Sequence, residues 1–184
     1  MEVRQRHVEL PGDPVRVEAV TGDRVRLQRR RLGALLRQCP EEVGEPFRVL
    51  SVDIDHRPLD PRARRDPDIT FVESSSAASS VADLITGLKA ELPGRIFAIL
   101  DSDHTMNHVL AEMKLLRPLL SSGDYLLVED SCVNGHPVLP GWGPGPYEAI
   151  EAYEREFPDD YTRDVAREEK FGFTFAPKGF LIRN

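Results

Sequence analysis

The chain is poor in cysteine. Its 184 residues hold two, Cys39 and Cys132, and their spacing matches no metal-binding or redox motif. That excludes a disulfide scaffold and a thiolate metal site, and reads as ordinary thiols in a reducing compartment. Long apolar runs are missing as well. No stretch approaches the roughly 20 residues that cross a bilayer, and the opening MEVRQRHVELPGD has no apolar secretory segment. The expected setting is therefore cytoplasmic, with no membrane partner. Positive charge is in deficit: 24 Lys and Arg face 31 Asp and Glu, a net of −7, the wrong sign for nucleic acid as main partner. Lysine is absent from residues 1–46, which carry nine arginines and eight acidic residues and so leave −8 for the remainder. Within that part, RLQRRRLGALLRQ reads as an Arg-rich amphipathic helix with a solvated face.

What is present is the composition of one soluble globular domain, 40% apolar and 30% charged, with enough chain for a core. From Phe47 onward, strand-like and helix-like segments alternate. FRVLSVDID, ITFVESSS, RIFAILDSD and DYLLVED are short, nearly all-apolar runs. A helix leads in from Ser79 through LITGLKAEL, with Ser79 or Ser80 as its cap. Between Thr105 and Leu120, Met106, Val109, Leu110, Met113, Leu116 and Leu120 recur at helical steps. Apolar strands alternating with helices predict a parallel sheet covered on both faces. GPGPYEAIEAYEREF predicts a later helix with Pro146 in its first turn, and FGFTFAPKGFLIRN predicts a hairpin around Pro-Lys-Gly.

Each strand ends in polar residues: Asp53 and Asp55, Glu73 to Ser76, Asp101 to His104, Glu129 and Asp130. In open parallel sheets ligands bind beyond the carboxyl ends of the strands, so these groups are predicted to line one rim, from four parallel, adjacent strands. DSDHT alone admits three chemistries. A DxDxT phosphatase would use Asp101 as nucleophile, a DxD glycosyltransferase would hold a metal-bound nucleotide sugar, and a Rossmann-type methyltransferase would hold a divalent ion beside a substrate hydroxyl. A phosphatase also needs a separate Lys and Ser/Thr between its acidic motifs, and the helix after DSDHT offers Lys114 in mid-helix. No nucleotide-sugar signal precedes it.

Taken in order, ILDSDHT..H, YLLVED, NGHPV, GPGP..A and EKFGFTFAPKGFLIR, with VDIDHRPL upstream, resemble the cephalosporin hydroxylase / rhamnosyl O-methyltransferase family over residues 47–184. The resemblance implies an α/β, Rossmann-like methyltransferase sheet, mostly parallel with a C-terminal antiparallel hairpin. It implies S-adenosylmethionine and Mg2+ as cofactors and a hydroxylated small molecule, a sugar or an antibiotic-like scaffold, as partner; a homo-oligomer stays open. Asp103, Glu129 and Asp130 fall at the metal positions, and magnesium prefers such hard oxygen ligands. Asp53 falls where an acid accepts hydrogen bonds from a cofactor ribose. Ser75 or Ser76 falls at the adenine side. His104 is the catalytic candidate, in reach of cofactor or substrate. Asp101 is read as structural, a cap for the following helix. His108 is read as a satisfied helix histidine and Lys178 as a solvated turn residue. His136 and Trp142 lie in a loop that either closes over substrate or simply turns, with Trp142 stacking on a ligand or anchoring the loop.

The region before Phe47 departs from the family pattern. A Gly-rich loop belongs between the first strand and first helix, where glycine lets backbone approach the cofactor. Here the candidate strand is Val15 to Ala19, with Glu18 near its end and Gly22 alone in the turn. Residues 1–46 are therefore set apart as a truncated or divergent N-terminal segment, packed less tightly than the 47–184 core. The alternative function is a catalytically inactive methyltransferase-like binding protein, or a gene fragment without a proper donor loop.

Overall fold

The computed structural model describes residues 16–22, 47–57 and 59–184. Its centre is a seven-stranded sheet in the order β3-β2-β1-β4-β5-β7-β6. The strands are β1 (Arg16–Gly22), β2 (Phe47–Asp53), β3 (Ile69–Glu73), β4 (Arg95–Asp101), β5 (Tyr125–Val128), β6 (Tyr161–Arg163) and β7 (Phe180–Arg183). The first five in spatial order are parallel. β7 runs antiparallel to both β5 and β6. This is the mostly parallel sheet with an antiparallel finish that the sequence predicts.

Two details differ from expectation. The strands β2 and β4 are not adjacent, because β1 lies between them and pairs with both. Its last residue, Gly22, is level with Asp101, so that glycine ends a strand instead of making the turn. The partner of β7 is also not FGFTF but the three-residue Tyr161–Arg163. Phe171, Phe173 and Phe175 stand exposed in the connecting loop. The expectations of an Arg-rich helix over 26–38 and of looser packing in 1–46 fall outside the described residues, apart from β1.

Three longer helices follow: α1 (Ser79–Glu91), α2 (Met106–Leu116) and α3 (Pro146–Glu156), with a short α4 (Val165–Glu168). Right-handed crossovers from β3 to β4 and from β4 to β5 place α1 and α2 on the same face of the sheet, and α2 packs on α1 and α3. The sheet gives this core Leu50, Val52, Ile96, Ala98, Leu100, Leu126 and Val128; the helices give Val81, Ile85, Val109, Met113, Ile150 and Tyr153. Side chains alternate across a strand, so Asp53 and Asp101, next after Val52 and Leu100, turn to the other face at the carboxyl rim. Among the described residues no helix is long and apolar enough to cross a membrane.

Candidate active site at the carboxyl rim

The register pairs Leu100 with Val128, and the Glu129 amide continues the ladder by donating to the Leu100 carbonyl at 2.9 Å. Asp101 and Glu129 therefore leave the sheet side by side. Both chains then turn through left-handed residues, His104 at φ 57° and Asp130 at φ 51°. Non-glycine residues are rarely held there, and such conformations gather at functional sites.

These turns bring Asp101, His104 and Asp130 together, with one potential ligand atom from each within 4.8 Å of the others. His104 Nε2 lies 3.1 Å from Asp101 Oδ1 and 3.5 Å from Asp130 Oδ2. Burial opposes charge on His104, but the hydrogen bond to Asp101 and the charges of Asp130, Asp101 and Asp103 outweigh it and raise its pKa. Glu129 is pushed up to about 7, first by burial and then by the charges of Asp101 and Asp130. Burial also raises Asp130, with Asp101 adding to it and His104 opposing. Among the described residues its carboxylates outnumber its one histidine, and bringing like charges together disfavours their ionised forms.

The two aspartates of DSD divide their work otherwise than the sequence implied. Among the described residues no side chain caps α2, whose N-cap is Thr105; Asp103 forms the turn before it, its Oδ1 accepting from the Thr105 amide at 2.9 Å and the Thr105 hydroxyl at 2.8 Å. That turn occupies one of its two oxygens, and the side chain is exposed at the rim. Asp101 was the acid the sequence reading passed over. The signal for it was its place as the last strand residue, level with the acids after β5.

The donor-side candidates lie across β1. Asp53 is buried and accepts from the Asp55 amide at 3.1 Å. Ser75 is exposed. Ser76 is buried, with its hydroxyl 2.9 Å from His108 Nε2. His108 also faces the buried Glu112 at 3.6 Å, so it has the partners a satisfied helix histidine needs. Glu112 in turn accepts from Ser102 at 2.7 Å, a buried link between β4's end and α2. Lys178 is not merely solvated: it pairs with Glu151 at 2.9 Å and covers the Tyr147 ring at 4.7 Å.

Glu148 was also missed. It accepts from the Gly145 amide at 2.7 Å, from Asn134 at 2.8 Å, and lies 3.0 Å from His136 Nε2. Burial works against its charge, but these hydrogen bonds bring its pKa down to about 2. Its bond to the N-cap amide of Gly145 satisfies the start of α3, and its bonds to Asn134 and His136 fasten the loop after β5 to that helix. A Glu two residues after Pro146 was the available sign.

A parallel sheet with an antiparallel finish, bearing an acidic cluster at its carboxyl rim, defines a Rossmann-like α/β protein of the methyltransferase type. The chain belongs to the Rhamnosyl O-methyltransferase/CmcI family, whose model matches residues 32–184. A rhamnosyl O-methyltransferase of Mycobacterium tuberculosis (strain H37Rv) is 72% identical over 143 residues, covering 78% of this chain and 58% of that protein. The chain thus spans somewhat over half the length of this relative. Among solved structures, CmcI with Mg and SAM superposes with a TM-score of 0.62 at 19% identity, covering 92% of this chain and 64% of that one. The MycE methyltransferase of mycinamycin biosynthesis, in complex with Mg, SAH and mycinamycin VI, gives 0.51 at 18% identity over 79% of this chain and 36% of that one. At such identities these structures are alike in fold.

Proposed function

We propose that this chain carries out S-adenosylmethionine-dependent, magnesium-assisted O-methylation of a hydroxyl on a small molecule, a sugar or an antibiotic-like scaffold. The observation that carries the reading is the acid cluster at the rim, where Asp101, His104 and Asp130 converge beside a Glu129 raised to about 7. Such a group favours a hard divalent cation. Magnesium would be held by Asp103, Glu129 and Asp130, of which Asp130 alone belongs, among the described residues, to the converging group, with Asp101 adjoining. When bound, the ion supplies Lewis acidity that lowers the pKa of a substrate hydroxyl. The relatives' names and the ligands of the CmcI and MycE structures support the same assignment.

Asp53 would offer its carboxylate to the ribose hydroxyls of the donor, and Ser75 and Ser76 would bound the adenine side. S-adenosylmethionine, when bound, would supply the methyl group that the substrate oxygen takes from its sulfur. The hydroxyl proton would pass to the Asp101 carboxylate, which His104 holds in place by donating from Nε2 across 3.1 Å.

Calorimetry of wild type and Asp130→Asn, each titrated with magnesium and with S-adenosylmethionine, tests this. Wild type is expected to bind both and Asp130→Asn to lose magnesium. Equal, negligible magnesium binding by the two proteins overturns the metal assignment. Absence of S-adenosylmethionine binding as well leaves the non-catalytic, methyltransferase-like protein as the reading.

A further inference from the structure

The loop that begins at Asp130 returns to the acid cluster. It starts buried, at Cys132 and Val133, and comes back so that the Met106 amide donates to the Pro144 carbonyl at 3.0 Å. A β-carbon on Gly145 would meet Val133 Cγ2 at 3.0 Å, the His104 carbonyl oxygen at 3.4 Å and Trp142 Cδ1 at 3.7 Å. Trp142 Cδ1 and the His104 carbonyl oxygen thus flank the same point over Gly145, and the His104 imidazole is in the cluster.

The backbone of Trp142 is held on both sides. Its amide donates to the Leu139 carbonyl at 3.0 Å, and the next amide, of Gly143, donates to Asn134 Oδ1 at 3.1 Å. Asn134 is itself fixed by Glu148. Yet the residue is 50% exposed. An indole this well positioned and this poorly covered contributes little to the core, and a flat apolar surface beside convergent polar groups is how small-molecule sites are built.

We propose that Trp142 is the acceptor-binding platform, stacking on the apolar C–H face of a sugar ring whose hydroxyl edge turns toward Asp101, His104 and Asp130. The inference rests on the methyltransferase reading and adds to it the residue that recognises the acceptor. A pyranose combines the two surfaces the site offers: hydroxyls at its edge for the acidic cluster, and aliphatic C–H groups on its face for the indole. Glu148 is a positioning residue in this arrangement, acting through Asn134 and Gly145 on the loop.

Trp142 is the sole tryptophan of the chain, so its emission reports on this position alone. The probe is methyl α-L-rhamnopyranoside, titrated into protein saturated with magnesium and S-adenosylhomocysteine. The expected result is a saturable change in emission, matched by calorimetry. Trp142→Ala should weaken rhamnoside binding roughly tenfold, and Trp142→Phe should stay within about threefold of wild type, since a smaller ring still stacks. Both variants should keep the wild-type thermal midpoint and S-adenosylmethionine affinity. Rhamnoside binding with unchanged emission, or equal binding by Trp142→Ala, overturns the proposal. A wild type that binds S-adenosylmethionine but no rhamnoside overturns it alone, whereas one that binds neither overturns the methyltransferase reading as well.

Discussion

Two carboxylate clusters sit at opposite ends of the sheet. At the far end from the rim, Asp160 precedes β6 and is nearly buried. It accepts from Arg117 Nε at 2.7 Å and the Tyr153 hydroxyl at 2.7 Å, and pairs with Arg183 Nη1 at 3.0 Å. Burial opposes its charge, but the hydrogen bonds from Tyr153, Arg117 and Arg183 hold its carboxyl below the ordinary range. At the carboxyl rim the shifts run the other way, with Glu129 and Asp130 both raised. One cluster is matched by the protein's own cations, and its product is stability. In the other, among the described residues, burial and neighbouring carboxylates outweigh the single histidine.

The largest effect is expected where the match is complete. Asp160→Ala leaves the Tyr153 hydroxyl without its acceptor and takes the carboxylate from Arg117 and Arg183, which keeps its bond to the Asp160 carbonyl; breaking such a pair costs about 3–5 kcal/mol. Urea unfolding measures it, and a loss below about 1 kcal/mol would mean that the Asp160 cluster is no more structural than a surface pair.

Glu148 comes next and connects the two regions, since it is a matched carboxylate that serves the rim. Its folded pKa of about 2 lies below the ordinary value of 4.5. The stabilisation is therefore fully present above about pH 4.5 and fades as pH falls toward 2. Glu148→Gln should lower stability at pH 7 by about 2–3 kcal/mol, the shift discounted for partial solvation. It should also flatten the decline between pH 4.5 and 2. Unfolding midpoints across that range check both, and parallel acid profiles for the two proteins would remove Glu148 from the account.

Much of this architecture was legible because a parallel strand advertises itself. RIFAILD and FRVLSVD are apolar along their length and then abruptly acidic, which gave the direction of the strands and the location of the rim. Strand order was not legible, since a chain that alternates strand and helix does not record where β1 inserts. The hairpin misled because Phe171, Phe173 and Phe175 alternate like a strand, whereas the true partner of β7 spans three residues, too few to show a period. Asp101 and Asp103 could not be told apart because their difference arises at His104, whose left-handed turn has no glycine to announce it.

A smaller effect, of the opposite sign, is expected at the rim. Asp130→Asn removes one charge from a crowded acidic group, so without metal it should be as stable as wild type or more so by about 1 kcal/mol. With magnesium present the order should reverse, because only wild type gains stability from a ligand bound to the native state. Thermal midpoints with and without magnesium read this directly. A variant less stable than wild type in the absence of metal would show that the rim, like Asp160, is already matched from within.

The smallest effect is expected of Asp103→Asn, and it divides holding the turn from ligation within a single side chain. Asparagine keeps an Oδ1 that can accept from the Thr105 amide and hydroxyl as Asp103 does, so the turn into α2 survives. Stability without metal should change by no more than about 0.5 kcal/mol, as for an exposed residue whose local hydrogen bonds are retained. What the substitution removes is charge and a hard anionic oxygen, the property magnesium selects. If Asp103 is a ligand, magnesium affinity falls at least about tenfold while the fold is untouched. If Asp103 only holds the turn before the helix and the ion rests on Asp101, Glu129 and Asp130, Asp103→Asn binds magnesium as wild type does and Asp101→Asn carries the loss instead. Calorimetric titration of the two variants side by side thus decides which aspartate of DSD faces the metal.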